Sequence, residues 1–145
     1  MKIKKITSNL MVADVRRAMA FYCDVCGFAS IMALRDDGKT VDQAPVEGAT
    51  YVFAILTLNG VELMLQEENN LRSELSGESK TRPAGLSCTY YIEVEGVDAV
   101  HAHLKEKAPA QLRSEPKTSW YGMREFAAVD PDGNVLVFAE RLRQA

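Results

Sequence analysis

The stretch Tyr51-Val52-Phe53-Ala54-Ile55-Leu56-Thr57-Leu58-Asn59-Gly60-Val61-Glu62-Leu63-Met64-Leu65-Gln66 decides how the chain is read. Two largely apolar runs flank Asn59-Gly60. Asn and Gly tolerate the positive φ that a two-residue hairpin turn requires, so Tyr51–Leu58 and Val61–Gln66 are read as paired strands. Toward the N-terminus, Ile3–Val12 alternates loosely and ends at Asp14, a residue suited to cap a helix. Val15, Ala18, Met19, Tyr22 and Cys26 then recur at three- and four-residue spacing. They form one face of a helix over Val15–Cys26, with Gly27 where a C′ glycine ends it. Phe28–Leu34 reads as a strand closed by Asp36-Asp37-Gly38, and the polar stretch 39–49, with Pro45 and Gly48, reads as a loop. The first half is therefore β-α-β-β-β.

The same order returns beyond residues 67–83, a charged stretch read as a linker with a short helix over Asn69–Leu75. Leu86–Val94 reads as a strand, Val97–Lys107 as a helix and Ala110–Ser114 as a short strand. Met123–Asp130 and Asn134–Glu140 read as a hairpin across Asp130-Pro131-Asp132-Gly133. The repeat is about seventy residues long and shows in element order more than in residue identity. The expected fold is α+β within a single domain, 1–145: two βαβββ modules, about 1–66 and about 84–145, with the linker at about 67–83. Their mixed sheets are expected to curl into a shared trough with the helices on the outside, and a trough lined from both halves is the natural binding site.

Composition narrows the function. The chain has 145 residues, 47% of them hydrophobic, and its 17 basic residues against 20 acidic ones give a net charge of -3. A surface of that sign repels phosphates, which argues against nucleic acid and anionic membranes as partners. No apolar run approaches the roughly 18 residues of a membrane span. Ser8, Asn9 and Asp14 interrupt what a signal peptide would keep apolar, so a cytoplasmic location is expected. Cys23, Cys26 and Cys88 are odd in number, which fits reduced thiols better than a disulfide framework.

Two groups of residues carry a family resemblance. Asn9-Leu10-Met11-Val12-Ala13-Asp14, Ala20-Phe21-Tyr22 and Gly27-Phe28 resemble the opening of vicinal-oxygen-chelate domains. Tyr121-Gly122-Met123-Arg124-Glu125-Phe126 followed by Asp130-Pro131-Asp132-Gly133-Asn134 resembles the closing half of their bleomycin-resistance-like branch. The likeness runs from about Ile3 to Arg141. This superfamily of glyoxalases, bleomycin resistance proteins and extradiol dioxygenases spans many activities, so function has to be argued from the site.

In catalytic members a divalent metal is held by His, Gln or Glu from both modules. The resemblance places those positions at Thr7, Glu62, Thr89 and Val137. A Lewis-acid metal needs about three basic protein donors, and only Glu62 qualifies, so no metal and no cofactor are expected. His101 and His103, two apart on one helix, diverge and cannot chelate one ion; they read as surface helix residues. Cys23 and Cys26 form a CxxC, but Cys26 falls on the apolar helix face and reads as packing. Asp130-Pro131-Asp132-Gly133 reads as a turn and not a calcium loop.

Strand alternation sorts the remaining residues. Leu10, Val12, Leu63 and Leu65 should face the first helix. That leaves Thr7, Asn9, Met11, Glu62, Met64 and Gln66 toward the trough. In the second module Tyr90, Ile92 and Val94 should pack under the helix. Thr89, Tyr91 and Glu93 then face the trough above a floor of Val135, Val137 and Ala139. Trp120 and Tyr121 should stand at the rim, where they could stack on a ligand or simply pack their loop. Arg124 and Glu125 should lie on opposite strand faces, each paired with another charge. The leading function is a metal-free protein holding a cationic or aromatic small molecule, in the manner of antibiotic-resistance proteins. The candidate contacts are Thr7, Asn9, Glu62 and Met64 with Thr89, Tyr91, Glu93, Trp120, Tyr121 and Val137. Two alternatives stay open: a lyase, isomerase or dioxygenase with an atypical metal site, and a non-catalytic structural or regulatory module. A homodimer is the expected assembly.

Overall fold

The computed structural model describes residues 2, 5, 7–74 and 89–142. Residues 75–83 of the expected linker, Leu86 to Cys88 of the expected strand and the Cys88 thiol lie outside these. The chain divides into two units, Met1–Ala84 and Gly85–Ala145. Each is a mixed sheet with one principal helix, so the fold is α+β. No helix among the described residues is long and apolar enough to cross a membrane.

The first unit carries strands β1 (Ser8–Val12), β2 (Ala29–Arg35), β3 (Val41–Asp42), β4 (Tyr51–Leu58) and β5 (Val61–Glu67) in the order β1-β5-β4-β2-β3. The β4–β5 hairpin forms as expected, because Asn59 at φ 50° and Gly60 at φ 79° supply the two left-handed positions its turn needs. Strand β1 pairs in parallel with β5, matching Leu10 to Leu65 and Ser8 to Leu63. This register puts Leu10, Val12, Leu63, Leu65, Ala54, Leu56 and Ala33 on one face, all buried. Helix α1 (Val15–Met19) packs on β4 and β5 and buries Val15, Ala18 and Met19. The Asp14 carboxylate caps it by accepting from the Arg17 N–H at 2.9 Å.

The expected single helix over Val15–Cys26 is instead two segments. After Met19 the chain widens into a π-helical stretch, Ala20–Val25, closed by Cys26 N–H donating to the Phe21 carbonyl at 3.1 Å. Widening keeps both Phe21 and Tyr22 buried before Gly27 ends the element at φ 86°. The short helix after β5 appears as α2, Glu68–Glu74. Stretch 39–49 is tied down rather than free. Arg16 donates to the carbonyls of Val46 and Ala49, with its guanidinium 5.5 Å from the Tyr51 ring centre. The Tyr51 hydroxyl donates to Asp42 at 2.7 Å, and Arg35 grips the same carboxylate from β2.

The second unit orders β6 (Thr89–Glu93), β7 (Lys117–Thr118), β8 (Met123–Val129) and β9 (Val135–Arg141) as β6-β9-β8-β7. Helix α3 (Val97–Lys107) lies on β8 and β9, burying Val97, His101 and Leu104 against the face that carries Phe126, Ala128, Leu136 and Phe138. His101 is therefore a core residue, 6% exposed with its ring edge on Phe126 at 5.0 Å, and only His103 keeps the expected surface role. Residues two apart on a helix cannot share a face, so with His101 turned inward His103 points to solvent. The short strand expected over Ala110–Ser114 does not form. Pro109, with its fixed φ and missing N–H, opens a 3-10 turn (Pro109–Gln111), and only Leu112 bridges to Ala128.

Helix α3 has glycine at its N-cap and therefore no capping side chain of its own. Glu140 on β9 takes that role, accepting from the Gly96 and Val97 N–H groups at 3.0 Å each. These donors hold its carboxyl below the usual carboxylate range. One residue on, Asp98 forms a two-bond pair with Arg124 of β8 at 2.7 Å, stapling the first helical turn to the sheet. Asp130 confirms the turn reading of 130–134, accepting from the Asp132 and Asn134 backbones and from the Asn134 side chain.

Replacing Leu65 by Ala should cost about 2–5 kcal/mol in denaturant unfolding, because the side chain is fully buried under α1. Trp120→Ala, at a side chain 95% exposed, should stay within about 0.5 kcal/mol of the parent protein in the same assay.

Candidate functional site

Burial of one sheet face under each helix leaves the opposite face of each sheet for chemistry. In the first unit the face away from α1 runs in cross-strand rows. Asn9 stands beside Met64, Ile55 and Met32, and Met11 beside Gln66, Phe53 and Leu34. Thr7, one residue before β1, continues the parallel register to Glu62. Asn9, Glu62 and Met64 are thus neighbours on one face, as alternation requires. Their partners are specific. The Asn9 amide donates to the Gln66 carbonyl oxygen at 2.8 Å, and the Gln66 amide donates on to Asn70 of α2 at 2.7 Å. Gln66 is 5% exposed, so this relay satisfies a buried amide at both ends. Glu62 forms an ion pair with Lys5.

In the second unit Thr89, Tyr91 and Glu93 are exposed along β6 and pair with Val135, Val137 and Ala139 of β9. The next strand adds Val129, Ala127 and Glu125 to the same face. Trp120 and Tyr121 stand on the turn that leads into β8. Ser119 closes that turn by donating its backbone N–H to the Met123 carbonyl at 2.7 Å. Gly122 takes the left-handed φ of 80° that the turn demands.

Glu125 is the residue that sequence reasoning assigned wrongly. An ion pair was expected, yet both of its contacts are neutral phenols. The Tyr91 hydroxyl donates to Oε2 at 2.8 Å, and the Tyr121 hydroxyl donates to Oε1. Arg124 turns to the opposite face and finds Asp98, as alternation requires. Tyr91 pairs with Val137 on β9, while Glu125 sits one strand further on, opposite Ala139. The Tyr91 ring must therefore lie across β9, over the Val137 and Ala139 positions. Strand alternation alone could have flagged Glu125, because it shares its face with Ala127 and Val129 and lies four residues from Tyr121. The two contacts are legible only in three dimensions. They also raise the tyrosines. Hydrogen bonding to Glu125, followed by burial and the carboxylate's charge, pushes Tyr91 up to about 12, and Tyr121 is raised chiefly by the same hydrogen bond.

The donor set at the four positions implied for a metal does not fit one. Glu62 is paired with a lysine, Thr7 and Thr89 offer neutral hydroxyls, and Val137 offers a hydrocarbon. Among the described residues no three His, Cys, Asp or Glu side chains gather into a cluster able to hold an ion. Cys23 and Cys26 are half-buried, and burial followed by the neighbouring Asp24 pushes the Cys23 thiol up, away from the reactive thiolate.

The clasp makes a spectroscopic prediction. In an alkaline titration Tyr91 should ionise near pH 12, and Glu125→Gln should return it toward the ordinary value near 10. The Tyr91 contribution to stability should be fully present below the ordinary tyrosine range and lost as pH rises through about 12. Phenolate absorbance of the parent protein against Tyr91→Phe isolates that one group, and an unshifted Tyr91 would refute the contact.

A family model described as the Glyoxalase/Bleomycin resistance protein/Dioxygenase superfamily matches residues 2–138. Bleomycin resistance proteins from Geobacillus stearothermophilus and from Staphylococcus aureus strain MRSA252 are each 28% identical over 142 residues, covering 92% of this chain and 94% of theirs. A solved superfamily member from Sphaerobacter thermophilus DSM 20745 superposes with a TM-score of 0.70 at 19% identity, covering 96% of this chain and 98% of its own. TnmS3, an antibiotic binding protein from Streptomyces sp. CB03234, superposes at 0.64 with 24% identity, covering 97% and 98%. At those identities the structural likenesses speak for the fold. By its sequence match and its fold, the chain belongs to the Glyoxalase/Bleomycin resistance protein/Dioxygenase superfamily.

Proposed function

We propose that this protein binds a small molecule and sequesters it without metal chemistry, in the manner that the name of its bleomycin resistance relatives suggests. The ligand is cationic or aromatic, and the protein works as a cytoplasmic homodimer. The observation that carries the reading is the second unit's free sheet face. There Tyr91, Trp120 and Tyr121, at 53%, 95% and 49% exposure, surround an apolar strand bearing Val135 and Val137. Large aromatic side chains left in water are a binding surface in waiting, since they offer flat, apolar area with little rotamer freedom to lose. Thr7, Asn9, Glu62 and Met64 supply the first unit's contacts, and Thr89, Tyr91, Glu93, Trp120, Tyr121 and Val137 the second's. Sequestration needs no bond to be made or broken, so neutral groups at the metal positions are no handicap to it.

The test is calorimetric titration with bleomycin. Saturable binding is expected. Glu62→Ala should leave the thermal transition in place yet weaken the complex by about 1.5–3 kcal/mol, roughly 10- to 100-fold, as loss of a charged hydrogen bond does. Unchanged affinity in that variant would remove Glu62 from the site.

A second measurement addresses metal chemistry directly. A metal held at a hundred times its Kd adds about 2.7 kcal/mol of stability, several degrees of Tm for a chain of this length. EDTA-treated protein titrated with Ni, Co, Zn, Mn and Fe(II) should give a flat response, and a metal-selective rise would replace this reading with an enzymatic one.

A further inference from the structure

We propose that Glu125, presented by Tyr91 and Tyr121 beside the exposed indole of Trp120, selects a planar aromatic cation with N–H donors, of the amidinium or guanidinium class. The inference rests on the small-molecule-binding reading and names which residue sets the ligand's chemistry.

Asp98 stands against Arg124, Glu106 against Lys107 and Glu115 near Lys105 and His101, while Glu140 and Asp130 are engaged by N–H groups that cap a helix and close a turn. Glu125 is held by two neutral donors. A carboxylate has roughly four lone-pair sites, and the phenols occupy one on each oxygen, so acceptor capacity and negative charge both remain for a ligand. Lys117 opposes Glu125 on β7, but its side chain is exposed and no ion pair joins the two. Glu93 lies in the same cross-strand row, beyond Ala139, and adds a second negative charge to the face. An anionic ligand would meet repulsion here.

The shape of the surroundings narrows the cation. The Tyr91 hydroxyl reaches Glu125 from β6, and Tyr121 and Trp120 meet edge to face with ring centres 5.4 Å apart at 83°. The turn that carries them is closed by backbone bonds from Ser119 to Met123 and from Gly122 to Ser119. A cation over such rings gains from their negative faces. A flat amidinium or guanidinium can also set two parallel N–H groups against the carboxylate fork, which a compact ammonium cannot do. Hydrogen-bond geometry and aromatic display therefore favour the same ligand class.

Trp120 is the chain's single tryptophan, so its emission reports this face alone. The probes are benzamidine and its neutral near-isostere benzamide. Benzamidine should perturb Trp120 emission saturably, with half-saturation at least about tenfold lower than benzamide. Glu125→Gln keeps the side-chain size and an acceptor for the phenols, and should bring the two probes within about twofold while circular dichroism stays unchanged. Equal half-saturation in the parent protein would overturn the proposal, as would a preference that survives in Glu125→Gln. Emission that follows protein concentration rather than probe would mean that a second copy covers the patch, and would overturn it too. If Glu125→Gln fails to fold, Glu125→Ser takes its place, and a benzamidine preference that survives in that variant would refute the role of Glu125. Bleomycin binding without any benzamidine preference would defeat this inference and leave the binding reading standing. A benzamidine preference without bleomycin binding would do the reverse for that antibiotic.

Discussion

Each sheet in this protein is buried on one face by its own helix, and the pleat sends alternate side chains to opposite faces. Together these two facts commit every strand residue to packing or to chemistry. In the first unit the parallel register of β1 on β5 is the deciding constraint. With β5 held by its hairpin to β4, a slip of β1 by one residue would carry Leu10 and Val12 away from α1 and bring Asn9 and Met11 under it. Burying Asn9 there without its Gln66 partner would add an unsatisfied amide to the lost apolar contacts. Core and functional face therefore depend on the same register.

The second unit meets the same constraint with charge. Helix α3 begins at a glycine and has a modest apolar face, so burial alone fastens it weakly. Glu140 caps it from β9, and Asp98 reaches Arg124 on β8. Both attachments use residues that alternation sends to the helix side. Glu125, next to Arg124, is sent to the other side and becomes available for ligand recognition. Two charged neighbours in the sequence thus divide between the helix-packed face and the open face because a strand has a period of two.

Much of this was legible from residues alone. Asn59-Gly60 announced the β4–β5 hairpin, because few residue pairs accept two left-handed φ values in succession. The span of α3 was readable from Val97, Val100 and Leu104, and the turn at 130–134 from its Asp, Pro and Gly. Local spacing misled where a wider environment competed with it. The first helix loosened into a π-helical stretch to keep Phe21 and Tyr22 both inside, and His101 entered the core because a helix on a sheet needs a continuous buried stripe. Stretch 39–49 lacks an apolar pattern, yet Arg16, some thirty residues earlier, and the nearer Arg35–Asp42 pair pin it through hydrogen bonds.

The sequence by itself determined the two main hairpins, the span of α3, the face assignment of the strands and the presence of a single basic donor, Glu62, at the four positions implied for a metal. These follow from local backbone preferences and residue identity, which need no partner to be read. Only the tertiary structure decided who bonds to whom. The placing of two phenols on Glu125, the capping of α3 by Glu140 and the Asn9–Gln66–Asn70 relay each join residues from separate elements. A hydrogen bond depends on distance and angle between particular atoms, and those are set by strand order and register after the chain has folded.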